Sequence, residues 1–382
     1  MPSVREIAEK VGVSPATVSR ALNNRANVAP QLRRKIMGAV NRSRYVPKVG
    51  VRSNANVALV YTGEPSVGSP FDGALLQGIS EAMEDHGFDL MMLNLGGRDV
   101  AAEGGFSNLF MRKGVRGVVL RTDAGSRMIC RQIAAEGFPA VVVGDRFEDP
   151  GVNSIYSESR PASRDAVQHL MDLGHRRIAL AVNVVEDSDH TDRTEGYREA
   201  LRAAGVEPEE RLMFRVHARR DGGVQLVRRI QTMREPPTAV YIADPMTAIG
   251  AMGEAQRLGL RVPEELSIVG FDDSDLRFLV HPHMTAVCQD ATAMGRGAFS
   301  LLQQVMDGPR GKAEAVRVAL PTVLEVHGST APPNGMVERQ AAKTPSKNAK
   351  RRRGIATDGN QMHTDKTSRT NGSPWHATPR TI

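Results

Sequence analysis

Two cysteines, Cys130 and Cys288, are all that the 382 residues contain, and they do not sit at metal-ligand spacing. That argues against a disulfide framework or a thiolate zinc site, and a reducing cytoplasm is the simple expectation. Aromatic residues make up only 4% of the chain, with one tryptophan, Trp375. No apolar run reaches the roughly 20 residues that a membrane helix needs, and the N-terminus starts straight into a polar helix, so no membrane partner is expected. There is no phosphate-binding Gly-Lys loop, no glycine fingerprint opening a helix after a strand, and no nucleophile–base pair in a motif context. His281 and His283 flank Pro282 at a spacing seen in metal sites, but no acid or cysteine cluster supports them. The expectation is a protein that is not an enzyme, with no metal and no cofactor.

What the chain does have is a partition of charge. Its net charge is +7, yet residues 1–56 carry +9 and residues 331–382 carry a further +7, which leaves −9 on the middle. A mildly acidic body with basic ends points to nucleic acid at the ends and something else between.

The first basic segment reads as a helix-turn-helix with a third supporting helix. Ser3 and Glu6 have capping-box spacing; Val4, Ile7, Ala8 and Val11 fall on one helical face; Gly12 is a natural stop. Ser14 caps a second helix with Pro15 at its first position, running to Asn23-Asn24. A third helix begins near Pro30 and runs to about Arg44, with Leu32, Ile36 and Val40 as its stripe. Two short helices joined by a Gly-containing turn match a DNA-binding motif.

The run from Val11 to Asn23, with Val28, Pro30, Arg33 and Tyr45-Val46-Pro47 after it, closely resembles the LacI/GalR family of bacterial transcriptional regulators. The resemblance implies that the second helix enters the major groove. Pro15 and Ala16 then face base edges through apolar contact, and Arg20 is the candidate for a bidentate guanine contact. Thr17, Ser19 and Asn23 are backbone-positioning or shared contacts, and Ser14 and, in the tether, Arg52 join the DNA-binding set. Members of the family usually carry a hinge helix whose Leu wedges the minor groove. Residues 48–56 are about five residues shorter than the resemblance leads one to expect, lack Leu, and contain Gly50, which weakens a helix. An extended tether is the preferred reading.

From residue 57 to 330 strands and helices alternate. The apolar runs at 57–61, 88–95, 115–120, 140–143, 178–182, 239–243 and 267–271 are separated by helical segments, as in βαβ units with a parallel sheet. The expected fold class is α/β: an all-α head of residues 1–47, then two doubly wound parallel-sheet lobes with crossings near 160 and 290. Small ligands bind between such lobes, at the carboxyl ends of the strands. The resemblance extends here through Asp145-Arg146, residues 173–179, residues 193–197 and Val269–Asp273, and the module is similar to periplasmic sugar-binding proteins. It implies effector contacts from Phe71 and Asp72 in the Ser69–Asp72 turn, Arg146, Arg193, Asp244 and Asp272. Other roles stand beside these: Phe71 as a core residue, Asp272 as a loop cap, Arg193 as an ion pair with Glu186 or Asp192. Two departures from the family pattern, Glu158-Ser159 and Asp244-Pro245, alter the polar lining of the cleft.

Residues 331–382 are rich in Pro, Gly, Ser, Thr, Asn, Lys and Arg, with Lys350–Arg353 the densest basic run. Such a composition reads as a disordered basic tail. The expectation is therefore a cytoplasmic homodimeric repressor, nucleoid-associated when bound to a pseudo-palindromic operator in double-stranded DNA, and modulated by a small sugar-like effector. The alternatives are an architectural DNA binder without effector response, and a transport-type solute-binding protein, which needs an export signal and no reading head.

Overall fold

The computed structural model describes residues 3–22, 28–43, 55–63, 65–96, 100, 104–308 and 314–334. Three helices come first: α1 (Val4–Val11), α2 (Pro15–Leu22) and α3 (Pro30–Ser43). Ser3 and Glu6 close a reciprocal box, each side chain accepting the other's backbone N–H at 3.2 Å. Gly12 ends α1 at φ 77°, a left-handed conformation that a Cβ would disfavour,. Ser14 then accepts the Thr17 N–H at 3.1 Å and starts α2. Ile7, Val11, Val18, Leu22, Ile36 and Val40 are buried in the core the three helices share. Burial of each such side chain contributes roughly 1.5–3 kcal/mol.

Two α/β lobes follow. The first contains β1 (Ala55–Tyr61), α4 (Pro70–Met83), β2 (Phe88–Asn94), α5 (Phe106–Arg112), β3 (Val115–Arg121), α6 (Arg127–Ala135), β4 (Ala140–Val143) and β5 (Asn153–Glu158). The second contains α7 (Ser159–Asp172), β6 (Ile178–Asn183), α8 (Ser188–Ala203), β7 (Met213–Val216), α9 (Arg220–Gln231), β8 (Ala239–Ile242), α10 (Pro245–Arg257), β9 (Ser267–Asp272) and β10 (Thr285–Gln289). Helix α11 (Ala291–Asp307) returns to the first lobe, and β11 (Arg317–Glu325) serves both. The strand order is β2-β1-β3-β4-β5-β11-β10-β9-β8-β6-β7. Residues 317–321 of β11 run parallel to β5, and residues 322–325 pair antiparallel with β10. The chain thus crosses between lobes at Glu158-Ser159, Gln289–Ala291 and Pro321-Thr322. The first two crossings are where the sequence places them; the third lies within β11 itself.

Each sheet is covered on both faces. Helices α4 and α11 lie on one side of the first sheet and cross where two glycines meet: a Cβ on Gly78 would stand 1.9 Å from the Thr292 carbonyl oxygen, and one on Gly295 would stand 2.2 Å from that of Leu75. In the second lobe α7 and α8 pack on one face and α9 and α10 on the other. Gly196 sets the closeness of α8 to α7, since a Cβ there would lie 2.6 Å from the Arg160 carbonyl oxygen. That packing fixes the helix from which Arg193 projects.

Candidate functional site: a DNA-reading face and an interlobe cleft

On α2, Val18, Ala21 and Leu22 face inward, and Ser14, Pro15, Ala16, Ser19 and Arg20 are exposed, with Thr17 half-buried. The Ser14 and Thr17 hydroxyls share a hydrogen bond of 2.8 Å. Arg20 Nε donates to the Ala16 carbonyl at 3.2 Å, which lays its stem along the helix and leaves the rest of the fork on the surface. Every sequence-predicted residue that α2 carries, except half-buried Thr17, is therefore on one solvent-facing surface. Asn23 and Arg52 lie outside the described residues, as do most of the tether and all of the tail beyond residue 334. The second lobe's hydrogen bonds reach one residue past 330, where the Ala331 N–H donates to Ser267 Oγ at 3.0 Å.

The cleft has two walls. On the first lobe, Ser69 caps α4 and Asp72 in its first turn is fully buried. Asp72 Oδ1 accepts from Arg121 Nε at 2.9 Å, and its Oδ2 accepts from the Tyr61 hydroxyl at 3.0 Å and from Ser66. Burial and the Asp72 carboxylate push the Tyr61 phenol up. The Arg121 guanidinium covers the Phe71 ring, 4.4 Å from its centroid. Phe71 and Asp72 are thus joined through Arg121, a cleft residue that the sequence reading did not single out. Arg121 also donates to the Val143 carbonyl at 3.2 Å, so it ties the start of α4 to the end of β4.

On the second lobe, Arg193 is 5% exposed. Its guanidinium lies 3.7 Å from the Phe271 ring centroid, donates to the Ala243 carbonyl at 2.8 Å, and pairs with Asp189 at 3.3 Å. The ion pair is with Asp189, one helical turn away, and not with Glu186 or Asp192. Glu186 pairs with Arg215 at 3.1 Å and Asp192 with Arg146 at 3.2 Å. Burial pushes Asp189 up to about 7 against the pull of Arg193, and the neighbouring Asp187 and Asp145 add to the rise. Burial likewise lifts Asp273 to about 7, although Gln289 donates to it and Arg193 lies nearby.

Asp272 requires a correction. Its oxygens accept the backbone N–H groups of Ser274, Leu276 and Arg277 at 3.0–3.2 Å and the Arg277 guanidinium at 2.8 Å. It caps its own loop and has no acceptor to spare for an effector. The neighbouring Asp273 is the strand-end acid near Arg193. Asp244 caps α10 by accepting the Thr247 N–H at 2.9 Å.

The walls touch directly. The Ala124 N–H donates to the Glu186 carbonyl at 2.9 Å. The Ser188 N–H donates to Asp145 Oδ1 at 3.1 Å, and the Arg146 N–H to Ser188 Oγ at 2.7 Å. Asp145 is fully buried, and its carboxyl is pushed up by burial while Ser188 and Arg127 pull it down. Arg127 lies 3.6 Å from Asp145 and over the Phe147 ring. Several buried atoms at this seam have no hydrogen-bond partner: Asp145 Oδ2, Asp189 Oδ1, Arg193 Nε and Gln289 Oε1. Such atoms are costly when left bare. Among the described residues, no three of His, Cys, Asp and Glu are arranged to hold a metal ion, and no helix is long and apolar enough to cross a membrane.

A helix-turn-helix with an exposed second helix, carried with two α/β lobes that meet along a polar seam, is the build of a DNA-binding regulator. Residues 3–48 match the bacterial regulatory proteins of the lacI family, and residues 167–330 match a periplasmic binding protein-like domain. The transcriptional repressor CytR of Escherichia coli (strain K12) is 30% identical, over 80% of this chain and 90% of its own. The regulator DegA of Bacillus subtilis (strain 168) is 28% identical, over 87% and 99%. A solved complex of the transcriptional regulator CelR with cellobiose is 29% identical, covers 86% of this chain and 100% of that one, and superposes with a TM-score of 0.63. The chain belongs to the lacI family of bacterial regulatory proteins.

Proposed function

We propose that this protein is a cytoplasmic, homodimeric repressor that binds a pseudo-palindromic operator and changes its affinity when a small hydroxylated ligand enters the interlobe cleft. The observation that carries this reading is the pairing of an exposed α2 face with a cleft that holds unpartnered buried polar atoms. The first suits base edges; the second suits the hydroxyls of a polyol. In support, the regulator CelR was solved with cellobiose bound. Arg146, Arg193 and Arg121 donate to the ligand, Asp189, Asp273 and Asp244 accept from it, and Phe71 and Asp72 hold Arg121 in place. Arg20 reads a guanine, and Ser14, Thr17, Ser19 and Asn23 set the register of α2, with Pro15 and Ala16 against the base edges and Arg52 on phosphate. Ligand binding favours one interlobe arrangement over another, and that difference sets the spacing of the two heads.

Genomic footprinting with the purified protein supplies the operator. Arg20→Ala is then expected to lose about 1–3 kcal/mol of operator affinity and to relax specificity at one base pair. A variant with an unchanged footprint and affinity would remove Arg20 from the reading surface. Equal affinity of the wild type for operator and random DNA across a salt series would overturn the sequence-specific reading.

A further inference from the structure

We infer that the ligand of this cleft is a hydroxylated molecule bearing an ammonium group, seated between Asp273 and the free amide oxygen of Gln289, with Asp244 beside them. The inference rests on the interlobe reading above and adds the charge of the ligand to it.

The seam's carboxylates are mostly matched one to one by cations. Asp145 faces Arg127, Asp187 faces His190, Asp189 faces Arg193, and Asp192 faces Arg146. Asp272 has Arg277. Asp244 and Asp273 are different: among the described residues no Lys, Arg or His lies within ion-pair distance of either. They stand at the ends of adjacent strands, β8 and β9, close enough for the charge of Asp244 to oppose ionisation of Asp273. Both belong to the C-terminal edge of a parallel sheet, where such folds take ligands.

The second observation is Gln289 at the end of β10, 7% exposed. Its amide nitrogen donates to Asp273 Oδ1, which fixes the amide's orientation. The oxygen left on the other side, Oε1, is buried and has no donor. An amide oxygen without a donor, beside a carboxylate that no described cation pairs with, calls for a group that brings several N–H donors and a positive charge. An ammonium supplies three donors and the missing counter-charge in one group. A neutral hydroxyl supplies one donor and no charge. A phosphate or carboxylate would bring further negative charge against two unmatched acids, and like charges at this range repel. Burial already holds the Asp273 carboxyl high in the absence of a counter-ion. The remaining orphans, Asp189 Oδ1 and Arg193 Nε, are one acceptor and one donor and suit ring hydroxyls.

The test is calorimetric titration of the full-length protein with D-glucosamine, D-galactosamine and D-mannosamine, each against its neutral parent hexose and its 6-phosphate. At least one amino sugar is expected to bind ten-fold or more tightly than its neutral parent. In Asp273→Asn that preference is expected to fall below about two-fold, and Asp244→Asn, on a separate strand end, is expected to reduce it as well should the first variant not fold. Neutral parents that bind as tightly as the amino sugars, phosphates that bind more tightly, or a preference that survives both substitutions would overturn the inference, while leaving the interlobe ligand reading in place. If no sugar of any charge binds, this inference and the interlobe reading both fail.

Discussion

The two walls of the cleft are built from the same three parts and end in different states. In each, an arginine lies over a phenylalanine ring and pairs with an aspartate: Arg121 with Phe71 and Asp72, and Arg193 with Phe271 and Asp189. In the first wall the tyrosine and serine hydroxyls of Tyr61 and Ser66 complete the aspartate's partners. In the second, one oxygen of Asp189 and the Nε of Arg193 are left over. The first wall is a finished network, and such networks rigidify their surroundings. The second is unfinished, and a buried, unfinished network is where a ligand's polar groups gain most. Resemblance between the walls in residue type therefore conceals a division of labour, with one lobe holding its cation in place and the other waiting for partners.

Matched substitutions in the two walls separate them energetically. Asp72→Asn removes the charge shared by Arg121, Tyr61 and Ser66 and turns an acceptor oxygen into a donor. A loss of about 3–5 kcal/mol in folding stability is expected, the cost of breaking a buried pair. Asp189→Asn is expected to cost less, about 1 kcal/mol, because Arg193 keeps its bond to the Ala243 carbonyl and its place over the Phe271 ring,. Denaturant titration of both variants measures the difference, and equal losses would mean that the walls are energetically alike.

A second, smaller effect sharpens it through pH. In the folded protein Asp189 and Asp273 keep their protons up to about 7, whereas the ordinary value is 3.8. Between those values the folded state binds more protons than the unfolded chain, so stability is fullest at the acid end and falls as pH rises towards 7. The slope from one such group is up to about 1.4 kcal/mol per pH unit. The groups facing Asp273 are Arg193, Asp244, Asp272 and Gln289; those facing Asp189 are Arg193, Asp187, His190 and Asp145. Asp187, held at about 2 by His190 and Arg193 although burial opposes it, acts in the other direction and only below pH 4. Thermal melts of Asp273→Asn should thus show a flatter decline from pH 4 to 7 than the wild type. Parallel profiles would show that Asp273 titrates normally.

The smallest effect concerns the seam. Arg146 pairs with Asp192 across the lobes, but its side chain is 41% exposed. Arg146→Ala is expected to cost less than about 1 kcal/mol, while shifting the lobes towards separation, visible as an increase in radius of gyration by small-angle scattering. A large stability loss without any change in radius would make Arg146 a structural residue of one lobe.

Most of the head was legible because its signals are local. Ser3, Glu6, Gly12, Ser14 and Pro15 each act within one helical turn, and the structure uses them that way. The lobes were legible where strands are continuous apolar runs buried on both faces. The elements without a clear signal have weaker patterns: β7 is four residues long, the first turn of α9 holds Gly222-Gly223, and β10 has only three apolar residues between Thr285 and Gln289. In the cleft, Arg193 and Asp72 follow from the resemblance, but the side chains they pair with do not. Pairing of Arg121 with Asp72 spans 49 residues and that of Gln289 with Asp273 spans 16, and no local pattern encodes either. Asp272 and Asp273 are adjacent acids at a strand end, and only the fold of the following loop decides which one is spent on its backbone.

The most direct measurement is operator affinity as a function of the tightest-binding sugar, for the wild type and for Arg193→Ala. The wild type's affinity is expected to shift by five-fold or more as the sugar saturates the cleft. Arg193→Ala, with its ligand-free operator affinity intact, is expected to show no shift. A variant that responds as the wild type does would contradict the claim that the unfinished wall of the second lobe is where the head is controlled.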